Sequence, residues 1–206
     1  MNEFFTFLLL SLFVVMSPGI DTALITKRTI SDGRKDGYQM ALGITTGSLV
    51  HTFAAAFGLS AILMKSAVAF EIVKYVGAIY LIYLGVSSFI TRKKKAVSDE
   101  EENLDEIKKS AFKQGLLSNV LNPKVAMFFL TFLPQFVKVG ENATKQLVIM
   151  GVIYTLLSIS WFFIYVFFIN YLREWLMSPK VQRVMEKATG LVLIGFGIKL
   201  AMDSRH

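Results

Sequence analysis

The chain has 206 residues, 54% of them hydrophobic, a mean hydropathy of +0.54 and a net charge of +7. Soluble domains hold about 45–50% apolar residues, so the composition excludes a soluble domain and points to an integral membrane protein. With no cysteine and only His51 and His206, disulfides, thiolate metal sites and a thiol nucleophile are all removed, and no metal site and no cofactor is expected.

The positive charge does not point to nucleic acid, because the lysines and arginines lie in short loops between apolar runs. About 20 apolar residues cross the hydrocarbon core. Six runs reach that length: 4–26, 38–64, 72–90, 115–133, 146–172 and 184–202. The expected fold is an all-α integral membrane protein with six transmembrane helices in the lipid bilayer. Glu3 stands where a secretory signal carries Lys or Arg, so 4–26 is read as a retained first span.

That first run is interrupted by Ser17-Pro18-Gly19, then Asp21. Proline removes a backbone donor, and hydrocarbon cannot satisfy the freed carbonyl, so such a break faces protein or a water-filled cavity. Asp21 could hold a substrate ammonium or carry a proton. It could equally cap the restarted helix, or pair with Lys27 or Arg28. The second run carries Thr45, Thr46, Ser48 and His51. His51 is open to two readings, a proton relay or a histidine bonded to a neighbouring helix. Gly43 and Gly47 form a Gly-x-x-x-Gly surface, expected to pack on Gly77 or Gly85 of another helix.

Residues 91–110 form the one long polar segment, a basic block at Arg92–Lys95 followed by six acids. We read it as a linker between halves, either merely solvated or engaged with a lipid surface. The fourth run holds Asn119-Val120-Leu121-Asn122-Pro123-Lys124. Lys124 either meets a substrate carboxylate or Asp21, or snorkels to the interface. Asn119 and Asn122 offer amides to a zwitterion or to the carbonyls freed by Pro123. The aromatic run from Trp161 to Tyr171 is expected to face lipid and the interface.

Most Lys and Arg fall in the first, third and fifth loops, so these should be cytoplasmic and both termini extracytoplasmic. Each half, 1–90 and 111–206, then holds three spans, an odd number, and the halves are inverted repeats. Lys74-Tyr75-Val76-Gly77 and Lys187-Ala188-Thr189-Gly190 correspond loosely, as do Ser17-Pro18 and Asn122-Pro123. Paired broken spans mark a transporter's substrate site at the midplane. No phosphate loop, Gly-x-Ser-x-Gly or His-Glu-x-x-His occurs, so ATP-driven transport and catalysis are not expected.

At these residues the chain resembles the LysE family of amino-acid exporters, which includes lysine exporters and homoserine and threonine resistance proteins. Ser17-Pro18-Gly19-Ile20-Asp21 is similar to the family's Ser-Pro-Gly-Pro-Asp, with Ile20 in place of the second proline. Gly115 to Lys124, running into Phe128-Phe129 and Leu133-Pro134-Gln135-Phe136, is similar to its second signature. The resemblance implies a six-span plasma-membrane protein, a homodimer, that exports amino acids in exchange for an ion, the proton, with Pro18, Asp21, Asn122 and Lys124 at the site. Export of another solute or a metal cation is the alternative, and a non-transporting scaffold or sensor working through 91–110 is the alternative of a different class.

Overall fold

The structure, a computed structural model, describes residues 3–65, 67–87, 89, 110–137, 142–176 and 178–202. The linker expected at 91–110, apart from Ser110, and the outermost residues of both termini lie outside the described residues, which are mostly helical and contain no strand.

Helix α1 (Glu3–Met16) is bent by 49° onto α2 (Ile20–Asp32). The break follows from Pro18, which has no N–H for the carbonyl of Val14; the Ser17 N–H covers it, reaching Phe13 O at 3.0 Å and Val14 O at 3.3 Å. Gly33 turns the chain with φ of 93°, a backbone conformation suited to glycine. Next come α3 (Arg34–Lys65) and α4 (Ala67–Ser87). Helix α5 (Ala111–Val120) is bent by 53° onto α6 (Pro123–Met127), which continues through a π-helical turn, Phe128–Phe132, and a 3₁₀ turn, Leu133–Phe136. The chain restarts there because Pro123 sits at the first helical position, with the Asn122 side chain accepting from the Lys124 N–H at 3.0 Å. Helices α7 (Ala143–Phe167), α8 (Ile169–Leu176) and α9 (Pro179–Met202) complete the described chain.

Both expected breaks are present, at Pro18 and Pro123. Among the described residues two helices, Arg34–Gly58 within α3 and Ala143–Phe167, are long and apolar enough to cross a membrane, and counting each bent pair as one span raises that to as many as four. The expected span 146–172 is divided at Phe168, where α7 ends and the short α8 begins.

Helix α3 is central, packed against α2, α5 and α7, while α4 packs chiefly on α9. Around α3 lie two apolar clusters. One gathers Phe7, Val15, Phe128, Phe129, Phe132 and Leu147; the other Leu24, Ile25, Met40, Ile44, Phe162 and Tyr165. A small third cluster, Ala78, Leu81 and Leu193, joins α4 to α9. Large apolar side chains such as Phe57, Ile79, Tyr83, Leu156 and Leu191 stand exposed, as suits a surface that meets hydrocarbon. Several buried hydroxyls are satisfied within their own helices: Thr45 donates to Ala41 O at 2.9 Å and Thr155 to Gly151 O at 2.9 Å.

Two expectations are corrected. The Gly43/Gly47 surface packs on α5, not on Gly77 or Gly85: a side-chain carbon at Gly43 would run into the Phe112 carbonyl, and one at Gly115 into that of Met40. Two helices thereby approach backbone to backbone. Gly85 and Gly197 instead serve the α4–α9 contact, facing the carbonyls of Gly190 and Ala78. The aromatic run is likewise not uniformly outward. Phe167, Phe168 and Tyr171 are exposed, but Phe162 and Tyr165 are buried, and the Tyr165 hydroxyl lies 2.6 Å from that of Thr26. A continuous aromatic run on a helix must occupy every face, so some of it turns inward.

Candidate functional site

The breaks at Pro18 and Pro123 both open onto one cavity of about 80 Å³. Each does so for the same local reason: a helix stops, two or three residues run extended or turned, and a new helix starts with its first residues at the cavity wall. From the first break come Ser17, Gly19 and Asp21, and from the second Asn119, Asn122 and Lys124. Space of this size admits several waters or a small solute.

Asp21 lies in the first turn of α2, where a negative charge is favoured by the helix dipole. It does not cap that helix, since Gly19 is the N-cap residue. Its Oδ2 accepts instead from the Asn119 amide at 3.2 Å, and its buried Oδ1 accepts from no described donor. Arg28, one of the two alternative partners, bonds Asp32 at 2.7 Å and Gln114 at 2.9 Å. Asn119 is 1% exposed. Asn122 spends its Oδ1 on capping α6 and borders the cavity. Lys124 is exposed and borders the same cavity. Pro18 is buried and Pro123 exposed; neither lines the cavity.

Like the two prolines, His51 stands outside the lining. It is buried behind Asn119, its Nε2 3.0 Å from the Asn119 backbone oxygen and its ring stacked on Phe129 at 5.8 Å.

The remaining wall comes from helices that the breaks did not single out. Tyr154, Ser158 and Phe162 present one face of α7, spaced four residues apart as a helix requires. The Tyr154 hydroxyl is bonded with Ser158. Thr189 of α9 meets Ser17 with hydroxyls 2.9 Å apart. That four-residue spacing was the available signal for α7, but it is shared by the lipid-facing residues of the same helix. Val15, Ile44, Leu81, Val125 and Phe128 complete an apolar lining. The cavity thus combines a carboxylate, an ammonium at its edge, a few hydroxyls and amides, and a hydrocarbon wall. Such a set suits a small zwitterion with an apolar side chain.

The chain matches the family model described as LysE type translocator over residues 12–204. It is 38% identical to the uncharacterized membrane protein YrhP of Bacillus subtilis (strain 168), across 98% of this chain and 100% of that protein. It is 30% identical to the leucine efflux protein of Enterobacter sp. (strain 638), across 97% of this chain and 95% of the relative, and 30% identical to that of Salmonella typhimurium (strain LT2), across 97% and 94%. No solved structure gives a significant match.

Proposed function

The chain belongs to the LysE type translocator family, and from that premise we propose that it is a plasma-membrane secondary exporter of neutral, apolar amino acids, driven by exchange with protons. The observation that carries the reading is the single cavity into which both helix breaks open, with Asp21 and Lys124 on an otherwise largely apolar wall. Asp21 takes the substrate ammonium or the exchanged proton, and its Oδ1, which accepts from no described donor, is the atom available to do so. Lys124 meets the substrate carboxylate from the edge, with Asn122 beside it. The leucine efflux proteins among the relatives support an aliphatic cargo, as does the lining by Val15, Ile44 and Phe128. A metal cargo would call for a cage of several carboxylates or imidazoles, and among the described residues no three such groups lie together.

In this reading six spans form two inverted halves, 1–90 and 111–206, joined by a cytoplasmic linker at 91–110, with both termini outside and two chains forming a homodimer. The halves rock about the cavity to expose it alternately to each side.

Efflux from cells preloaded with a panel of dipeptides tests this. Leucine or a similar aliphatic amino acid should leave faster from cells carrying the protein than from cells without it. Lys124→Ala should lower that rate by about tenfold, the scale for losing one charge contact with a bound ligand. If no amino acid leaves faster while the protein is correctly inserted, the export reading fails.

A further inference from the structure

Pro123 has no backbone N–H, so the carbonyl four residues before it, that of Asn119, loses its helical donor. In a span, a carbonyl freed in this way must be satisfied by a neighbouring helix, a side chain or water. Here two donors reach it: the Asn122 N–H at 3.1 Å, and the His51 ring at 3.0 Å from Nε2. A carbonyl only accepts, so His51 Nε2 carries a hydrogen in this arrangement. The ring lies against Phe129, ring centroids 5.8 Å apart and planes 24° from parallel, which fixes its orientation.

The side chain of the same Asn119 is held just as closely. Its amide donates to Asp21 Oδ2 at 3.2 Å. Its other face lies against Gly47, one helical turn before His51 on α3: a carbon added at Gly47 would stand 2.6 Å from Asn119 Oδ1 and 2.8 Å from its Cβ. Both lie below any ordinary contact between such atoms. Gly47 leaves the room, His51 holds the backbone, and the amide reaches the carboxylate.

We infer that Asn119 is the pin that sets where Asp21 stands in the cavity, and that His51 and Gly47 act through it as positioning residues. Neither lines the cavity. The one hydrogen bond described for the His51 ring ends on a backbone carbonyl, which takes no proton at physiological pH, so the ring serves as a fixed donor and not as a relay. This assignment rests on the export reading and names how its site is built.

The test is efflux of the amino acid found above by His51→Gln, His51→Leu and Gly47→Ala, alone and in an Asn119→Ala background. Glutamine offers an N–H donor of similar reach and does not titrate. It should therefore retain most of the wild-type rate and its pH dependence, whereas His51→Leu and Gly47→Ala should each raise KM by about tenfold, the scale for one buried hydrogen bond. With the Asn119 amide already removed, neither should raise KM further, because both reach Asp21 through that amide. Loss of pH-dependent exchange in His51→Gln would overturn the inference in favour of a relay, and additive losses would overturn the pin. The Asn119–Asp21 bond itself, read by thermal unfolding of purified Asn119→Ala, Asp21→Ala and the double variant, needs no cargo. Additivity there would sink the pin even if the export reading had failed, and coupling would uphold it.

Discussion

Asp21→Asn is expected to cut amino-acid efflux by about a hundredfold, the scale for removing one partner of a buried charged contact, while leaving insertion and folding close to normal. Asparagine has nearly the volume of aspartate and can still meet the Asn119 amide, which now bonds Oδ2 at 3.2 Å. What it cannot do is carry a negative charge to an ammonium, or pick up and release a proton. The loss should therefore appear in transport and not in the amount of protein in the membrane. Initial efflux rates, normalised to inserted protein, decide the matter. Wild-type rates in Asp21→Asn would remove the carboxylate from the mechanism and leave Lys124 and the helix termini to account for binding.

Gly43→Ala should destabilise the whole molecule. A methyl there would collide with the Phe112 carbonyl and lie 2.8 Å from the Leu116 nitrogen. Both are backbone atoms and cannot swing aside, so α3 and α5 would have to part along their contact. Alanine favours a helix over glycine by about 1 kcal/mol, but overpacking typically costs about 1–3 kcal/mol and occasionally more. The obstruction here is main chain, so the cost should prevail. Heating the detergent-solubilised protein and following the folded fraction by fluorescence-detected chromatography should show a midpoint several degrees lower. Gly195→Ala is the control: nothing lies within 4 Å of a carbon added there, so it should unfold no earlier than the wild type and, by the helix preference of alanine, somewhat later. Equal midpoints for the two variants would mean that the close approach is not a constraint.

The parts of this architecture that were legible in the sequence are those where one residue dictates geometry. Pro18 and Pro123 break helices wherever they stand, and polar groups beside them in apolar runs reveal a cavity, so Asp21, Asn119, Asn122 and Lys124 could be named together. The partner of the Gly43/Gly47 surface was not legible, because a glycine shows that something comes close without showing what. Tyr154, Ser158 and Thr189 escaped for a related reason. Their spacing places them on a helix face, and only the packing of α7 and α9 shows that these faces line the cavity. The partner of His51 depended on a distance across helices, 3.0 Å to an atom 68 positions away in the chain. The π-helical turn at Phe128–Phe132 has no residue signature of its own.

Helices α4 and α9 rest chiefly on each other and form a panel drawn from both 1–90 and 111–206. Leu81 and Thr189 line the cavity from that panel, and its described polar fastening to the first break is the Ser17–Thr189 bond. Such a bond contributes about 1 kcal/mol net, far less than unzipping α3 from α5 and α7. At this edge of the cavity a pair of hydroxyls, Ser17 from 1–90 and Thr189 from 111–206, is the described catch between the two.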